Sequence, residues 1–129
     1  MNLQPLGALA ALALAATQVP AEAHAYLVDS IPAKKQEVLR PQALERIKLV
    51  FSGKADALYS TARLTDPSGA TLSETTQREA SHEMVLPAPA RLAPGKYLVH
   101  YRVLSVDGDV VEGKVEFMVR APVWTPPSA

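Results

Sequence analysis

Short runs of alternating apolar and polar residues, most of them ended by proline or glycine, extend from residue 25 to residue 120. Alternation with a period of two places every second side chain on one face of a β-strand. In 96–105, for example, Tyr97, Val99, Tyr101 and Val103 share a face. The pattern predicts seven strands, at 25–30, 46–51, 60–66, 70–74, 83–88, 96–105 and 110–120.

Seven short strands in about 100 residues, with turn residues between them, are typical of an all-β, immunoglobulin-like Greek-key β-sandwich. The last two strands are the most regular, and we expect them to form a hairpin around Val106–Asp109. One segment, "KADALYS" (54–60), is helix-like but too short to change the fold class.

The first residues have a different composition. Residues 6–16, "LGALAALALAA", form an apolar run that is too short to span a bilayer but suits a signal peptide, although "MNLQP" before it has no Lys or Arg. Ala21 and Ala23 have the small-residue spacing of a cleavage site, and cleavage after Ala25 is a second possibility. We therefore expect a signal peptide at 1–23, one domain at 24–120 and a Pro-rich tail at 121–129.

Composition excludes several classes of protein. The chain has no cysteine, so it forms no disulfide and offers no thiolate nucleophile or ligand. Glu22 is the only one of the 26 charged residues before position 24, so the mature chain carries one net positive charge. No clustered basic face indicates nucleic-acid binding. No nucleophile elbow, phosphate loop or His-Glu-x-x-His motif is present, so we predict no catalytic residues, no bound organic cofactor and no enzymatic activity.

Three histidines are candidate metal ligands. His82 and His100 are expected at a strand edge and on the sheet exterior, where histidines are ordinarily solvated. Cleavage after Ala23 would make His24 the first residue, and its α-amine and imidazole could then chelate one ion. Such a nitrogen pair favours Cu(II).

The segment "SVDGDVVEG" (105–113) is open to two interpretations. Asp-Gly between apolar runs is a hairpin signal, and Asp107 and Asp109 could also supply oxygens to a cation. Ca²⁺ is a weaker alternative, since it requires six to eight oxygens. The pattern alone does not separate the turn from the metal site.

Five segments in this order resemble the CopC family of bacterial periplasmic copper-binding proteins, including its YobA-like group. They are "HAYLVDSIPA", "IKLVFSGKAD", "ARLTDPSGA", "LAPGKYLVHYRVLSVDGD" and "EGKVEFMV", and they cover His24 to about Val119. The resemblance implies a periplasmic, monomeric immunoglobulin-like sandwich that binds Cu(II) in copper homeostasis or resistance. It also implies a possible partner, a CopD-like inner-membrane copper transport protein.

The resemblance assigns the amine and imidazole ligands to His24 and a carboxylate ligand to Asp107. The family's second turn ligand is a histidine, and this sequence has Asp109 there. A set of two nitrogens and two oxygens should bind Cu(II) more weakly and less selectively. Met84 and Met118 are far apart in sequence, so we expect sheet residues there and no thioether Cu(I) site. The function is then either a Cu(II) carrier or buffer, or an interaction module whose metal site is vestigial.

Overall fold

A computed structural model describes residues 25–122, which contain eight strands and one 3₁₀ turn at Pro41–Ala43. All seven predicted strands are present, with ends shifted by up to four residues. The additional strand, β2, is only two residues long, too short for a periodic signal. The strands are β1 (Leu27–Ile31), β2 (Glu37–Val38), β3 (Arg46–Ala55), β4 (Thr61–Thr65), β5 (Thr71–Thr76), β6 (Ser81–Pro87), β7 (Gly95–Leu104) and β8 (Val110–Val119).

The strands form two sheets. One has three strands in the order β1-β3-β6, and the other has five in the order β2-β8-β7-β4-β5. The pairing of β2 with β8 is parallel, and every other strand pairing is antiparallel. The predicted all-β sandwich is therefore confirmed. No helix in residues 25–122 has the length and apolar character to cross a membrane.

The core lies between the two sheets, where the alternating apolar side chains meet. Phe51 of β3 and Phe117 of β8 are almost fully buried. Phe51 meets the ring of Tyr101 edge to face at 5.3 Å, and Phe117 stacks on Tyr97 at 5.5 Å. Met84 is also buried, whereas Met118 is 36% exposed on β8. Both methionines are sheet residues, as predicted.

The helix-like segment 54–60 does not form a helix. Lys54 and Ala55 end β3, and 56–60 is a loop. The loop's backbone hydrogen bonds go to distant residues: Asp56 N donates to Leu104 O at 2.7 Å, and Leu58 N donates to Gln77 O at 2.7 Å. A seven-residue helix is marginal by itself, so these long-range bonds decide the conformation.

Candidate metal site

The β7–β8 hairpin closes through a three-residue loop of Val106, Asp107 and Gly108. Ser105 N donates to Asp109 O at 2.8 Å, and Gly108 N donates to Ser105 O at 2.9 Å. Gly108 has a φ of 97°, in the left-handed region that favours glycine. This is the type I turn with a following left-handed glycine that three-residue hairpins use. The predicted hairpin is confirmed.

The side chain of Ser105 supports the loop from inside. Ser105 is 3% exposed, and its Oγ accepts a hydrogen bond from Asp109 N at 3.2 Å. Asp107 is exposed at the tip and Asp109 is half-buried. Sequence reasoning missed Ser105; its position directly before the Asp-Gly turn was the only available signal.

The loop is also joined to the three-stranded sheet. Ala55, the last residue of β3, forms an isolated antiparallel bridge with Ser105. The Ser60 hydroxyl donates to Leu104 O at 3.3 Å and accepts from Leu104 N at 3.1 Å. The position of the turn is therefore set by β3 and by the loop at 56–60 as well as by its own hairpin.

The described chain begins at the same end of the sandwich. Ala25 is fully buried, and Ser52 N donates to Tyr26 O at 2.7 Å. Ser52 Oγ accepts from Tyr26 N at 2.9 Å. Ser52 and Ala55 lie three residues apart on β3, a span of about 10 Å in a strand. Strand β3 therefore brings the start of the domain and the Asp107–Asp109 turn to one end.

The structure describes two of the three predicted ligands. Asp107 and Asp109 lie on one turn, whereas His24 lies outside the described residues, as do the predicted signal peptide at 1–23 and most of the predicted tail at 121–129. Within residues 25–122, no group of three or more His, Cys, Asp or Glu side chains could hold a metal ion. The two carboxylates therefore need donors from elsewhere to make a site.

The other two histidines lie on the exterior, as predicted. His82, on β6, is exposed, and its Nδ1 is 3.1 Å from Phe51 O. His100, on the outer face of β7, has Nε2 3.1 Å from Thr65 Oγ1. Partial burial, then the positive charges of Arg63 and Lys114, lower the pKa of His100.

Four apolar side chains are exposed at this end of the sandwich, and the sequence pattern did not reveal them. Leu58 and Tyr59 are 70% and 63% exposed, and Val106 and Val110 are 55% and 48% exposed. Leu58 has a φ of 73°, which is unusual for a bulky residue. Val110 is opposite Leu104, the residue whose carbonyl holds the loop at 56–60.

Comparison with known proteins identifies the family. The family profile of the CopC domain matches residues 27–120. Protein YobA of Escherichia coli (strain K12) is 33% identical over 102 residues, which cover 76% of this chain and 80% of that protein.

Two solved structures have a similar fold. The crystal structure of CopC from Methylosinus trichosporium OB3b is 38% identical with a TM-score of 0.67, covering 81% of this chain and 100% of that one. PcoC, described as a methionine-rich copper resistance protein from Escherichia coli, is 27% identical with a TM-score of 0.61, covering 75% and 99%. The family profile covers nearly the whole described domain, and the solved structures share its sandwich. This chain therefore belongs to the CopC family.

Proposed function

We propose that the protein is a periplasmic Cu(II) carrier or buffer in copper homeostasis or resistance, with His24, Asp107 and Asp109 as ligands. The observation that carries this proposal is the shared position of the domain's start and the Asp107–Asp109 turn. Ala25 directly follows His24 in the sequence, and Ala25 is buried at that end. The resemblance of the chain to copper resistance proteins supports copper as the cargo.

The proposed ligands are the α-amine and imidazole of His24 and one oxygen each from Asp107 and Asp109. Two nitrogens and two oxygens suit the tetragonal coordination of Cu(II), which also heads the divalent affinity order. An amine must lose its proton to bind a metal, so the affinity should rise with pH. The proposal includes removal of 1–23, because only a free amine at His24 completes the chelate.

The first measurement is the N-terminal residue of the exported protein, by mass spectrometry. His24 is the expected result, and a chain that begins at Tyr26 would remove the chelate. Titration of the mature protein with Cu(II) should then show about one tightly bound ion. His24→Ala, or one extra residue before His24, should abolish tight binding.

Matched variants separate this site from adventitious binding. His100→Ala removes an imidazole from the outer face of β7, and Asp66→Asn removes a carboxylate from the turn between β4 and β5, at the opposite end of the sandwich. Both should leave copper affinity unchanged, whereas Asp107→Asn should lower it. Equal effects of the two aspartate variants would contradict the assigned ligands.

A second function is favoured by the exposed apolar residues around the turn. Leu58, Tyr59, Val106 and Val110 are each exposed at the end of the sandwich that carries the turn. Exposed apolar residues suit contact with a partner protein, such as an inner-membrane copper transporter of the CopD type. On this reading the domain is a docking module and its metal site is vestigial. The docking-module hypothesis predicts that this protein binds Cu(II) no more tightly than an unrelated protein with an N-terminal histidine.

Replacement of Leu58 and Tyr59 by serine distinguishes the two functions. A docking module would lose its association with the membrane partner in a pull-down from the native host. A carrier or buffer would retain its copper titration curve in the same variant. Loss of copper binding in this variant would argue against two separable surfaces.

A further inference from the structure

The outer face of the five-stranded sheet carries a row of three basic residues. Arg63 of β4 is directly opposite His100 of β7, and His100 is directly opposite Lys114 of β8. Directly opposed residues on neighbouring strands present their side chains on the same face. Like charges in this arrangement destabilise a sheet.

The other cations of this face have acidic partners. Arg102 Nε lies 2.9 Å from a Glu112 oxygen, and Lys96 Nζ lies 3.5 Å from a Glu116 oxygen. In the described part of the chain, Arg63 and Lys114 take part in no ion pair. Arg63 Nη1 has a long hydrogen bond, 3.5 Å, to the Thr71 hydroxyl. Glu74 of β5 is directly opposite Arg63 on the side away from His100, but the two form no ion pair. The two cations on either side of His100 are therefore without an ion pair in the described residues.

Two open hollows meet along this row. One, of about 570 Å³, is lined by Arg63, His100 and Arg102 and also by Glu74 and Glu112. The other, of about 430 Å³, is lined by Arg63 and His100 again, together with Lys96 and Asp66. The two hollows share Arg63 and His100, whereas Lys114 lines neither of them. Glu74 of β5 lies at one end of the row, directly opposite Arg63. A ligand that spans from Arg63 to Lys114 would meet positive charge at both of its ends.

We propose that this face binds a carboxylate-rich segment of a partner protein, with Arg63 and Lys114 as its contacts on either side of His100. A single exposed ion pair contributes little, so several carboxylates on one chain suit this open face better than a small anion. Arg63 and Lys114 are two strand spacings apart, about 10 Å. Alternate side chains of an extended segment are about 7 Å apart, which long side chains can bridge.

Protonation of His100 would add a third charge to the row. Because the two processes are linked, an acidic segment that prefers the protonated imidazole must raise the pKa of His100 by the same coupling. Binding should therefore tighten as the pH falls through the pKa of His100. The charged groups on the strands of this face are Glu37 from β2, Arg63 from β4, Glu74 from β5, Lys96 and Arg102 from β7, and Glu112, Lys114 and Glu116 from β8.

The test is an NMR titration of the metal-free mature protein with a hexaglutamate peptide at low ionic strength. The pKa of His100, followed through its ring protons, should rise on addition of the peptide. Hexaglutamine, and sodium chloride at matched ionic strength, should have a smaller effect. The ring protons of His82, on the three-stranded sheet, should not respond to the peptide.

Paired variants locate the contact. Arg63→Gln with Lys114→Gln should weaken peptide binding about tenfold. Arg46→Gln with Lys48→Gln removes the same charge from β3 in the opposite sheet, and should change binding less than about twofold. Equal weakening in the two double variants would overturn the proposal, and so would a salt control that reproduces the peptide's effect. The proposal uses no ligand of the proposed copper site, so it stands or fails separately from copper binding.

Discussion

Ala55 and Ser105 form an isolated antiparallel bridge that joins the two sheets at one end of the sandwich. Ala55 ends the strand that pairs with the start of the domain, and Ser105 begins the turn that carries Asp107 and Asp109. Through this contact, residues about 80 positions apart in the sequence share one end of the molecule. The proposed copper site depends on that arrangement.

Asp109→His is expected to strengthen copper binding. It places an imidazole at the position where the family resemblance implies a histidine, which would give Cu(II) a third nitrogen. We expect the affinity to rise at least about tenfold, equivalent to 1.4 kcal/mol, in a competition titration. Glu112→His, which makes the same change in charge on β8 outside the turn, is the control. An unchanged affinity in Asp109→His would show that position 109 does not contact the metal.

Ser105→Ala should loosen the turn. The variant removes the Ser105 hydroxyl, which is almost fully buried and accepts a hydrogen bond from Asp109 N. We expect a loss of about 1 kcal/mol in the free energy of unfolding, measured by denaturant titration. Ser73→Ala, which removes a side-chain hydrogen bond to Pro87 O at an exposed site, should cost less. A smaller loss of unfolding free energy in Ser105→Ala than in Ser73→Ala would show that the Ser105 side chain does not support the turn.

Gly113→Ala should destabilise the hairpin from the inner face of β8. Tyr101 is directly opposite Gly113, and a Cβ at position 113 would lie 2.6 Å from Tyr101 Cζ. The Tyr101 ring also packs against Phe51, so it has little room to move. Overpacking of this kind costs about 1–3 kcal/mol of unfolding free energy.

A double variant isolates that contact. In the Tyr101→Ala background the same Gly113→Ala change should cost much less, because the ring is gone. Denaturant titration of the four proteins gives the coupling energy. Additive effects would show that glycine is needed at position 113 for a reason other than the ring.

Asp66 should contribute to stability in a pH-dependent way. Hydrogen bonds from the Ser68 hydroxyl (2.6 Å) and from Ala70 N (2.9 Å) hold the pKa of Asp66 below its usual value. The unfolded chain therefore binds a proton more readily, so this stabilisation is present above the unfolded pKa, near 3.8, and is lost as the pH falls through the lower folded pKa.

Asp66→Asn tests this linkage. The wild type should have the higher melting temperature at pH 7, and the difference should shrink progressively below about pH 4. Thermal unfolding followed by circular dichroism across this range is the measurement. A difference that stays constant down to pH 2 would place the stabilising effect in something other than the carboxylate charge.

The hairpin and the main strands followed from local signals. Tyr97, Val99 and Val103 recur with a period of two, and the Asp-Gly pair between β7 and β8 indicated a turn. Both signals act within a few residues, so a single sequence carries them. The segment 54–60 has a helix-like sequence but forms no helix, because its hydrogen-bond partners, Leu104 and Gln77, lie far along the chain.

The candidate site, too, was only partly predictable from the sequence. Asp107 and Asp109 were identified from the turn and from the family resemblance, whereas the support from Ser105 and the apolar residues Leu58 and Tyr59 were not. Each of those depends on what a side chain faces after folding. The alternation of residues sets which face a side chain takes, but not which distant residue it meets.

By itself, the sequence determined the β class, the strand periodicity and the turn, because these depend on steric preferences over a few residues. Only the tertiary structure decided that Ala55 meets Ser105, and that Arg63, His100 and Lys114 form one row. Those contacts require a strand register between segments far apart in the chain. Register is set by burial of the whole apolar face at once, since a slip of one residue would expose it.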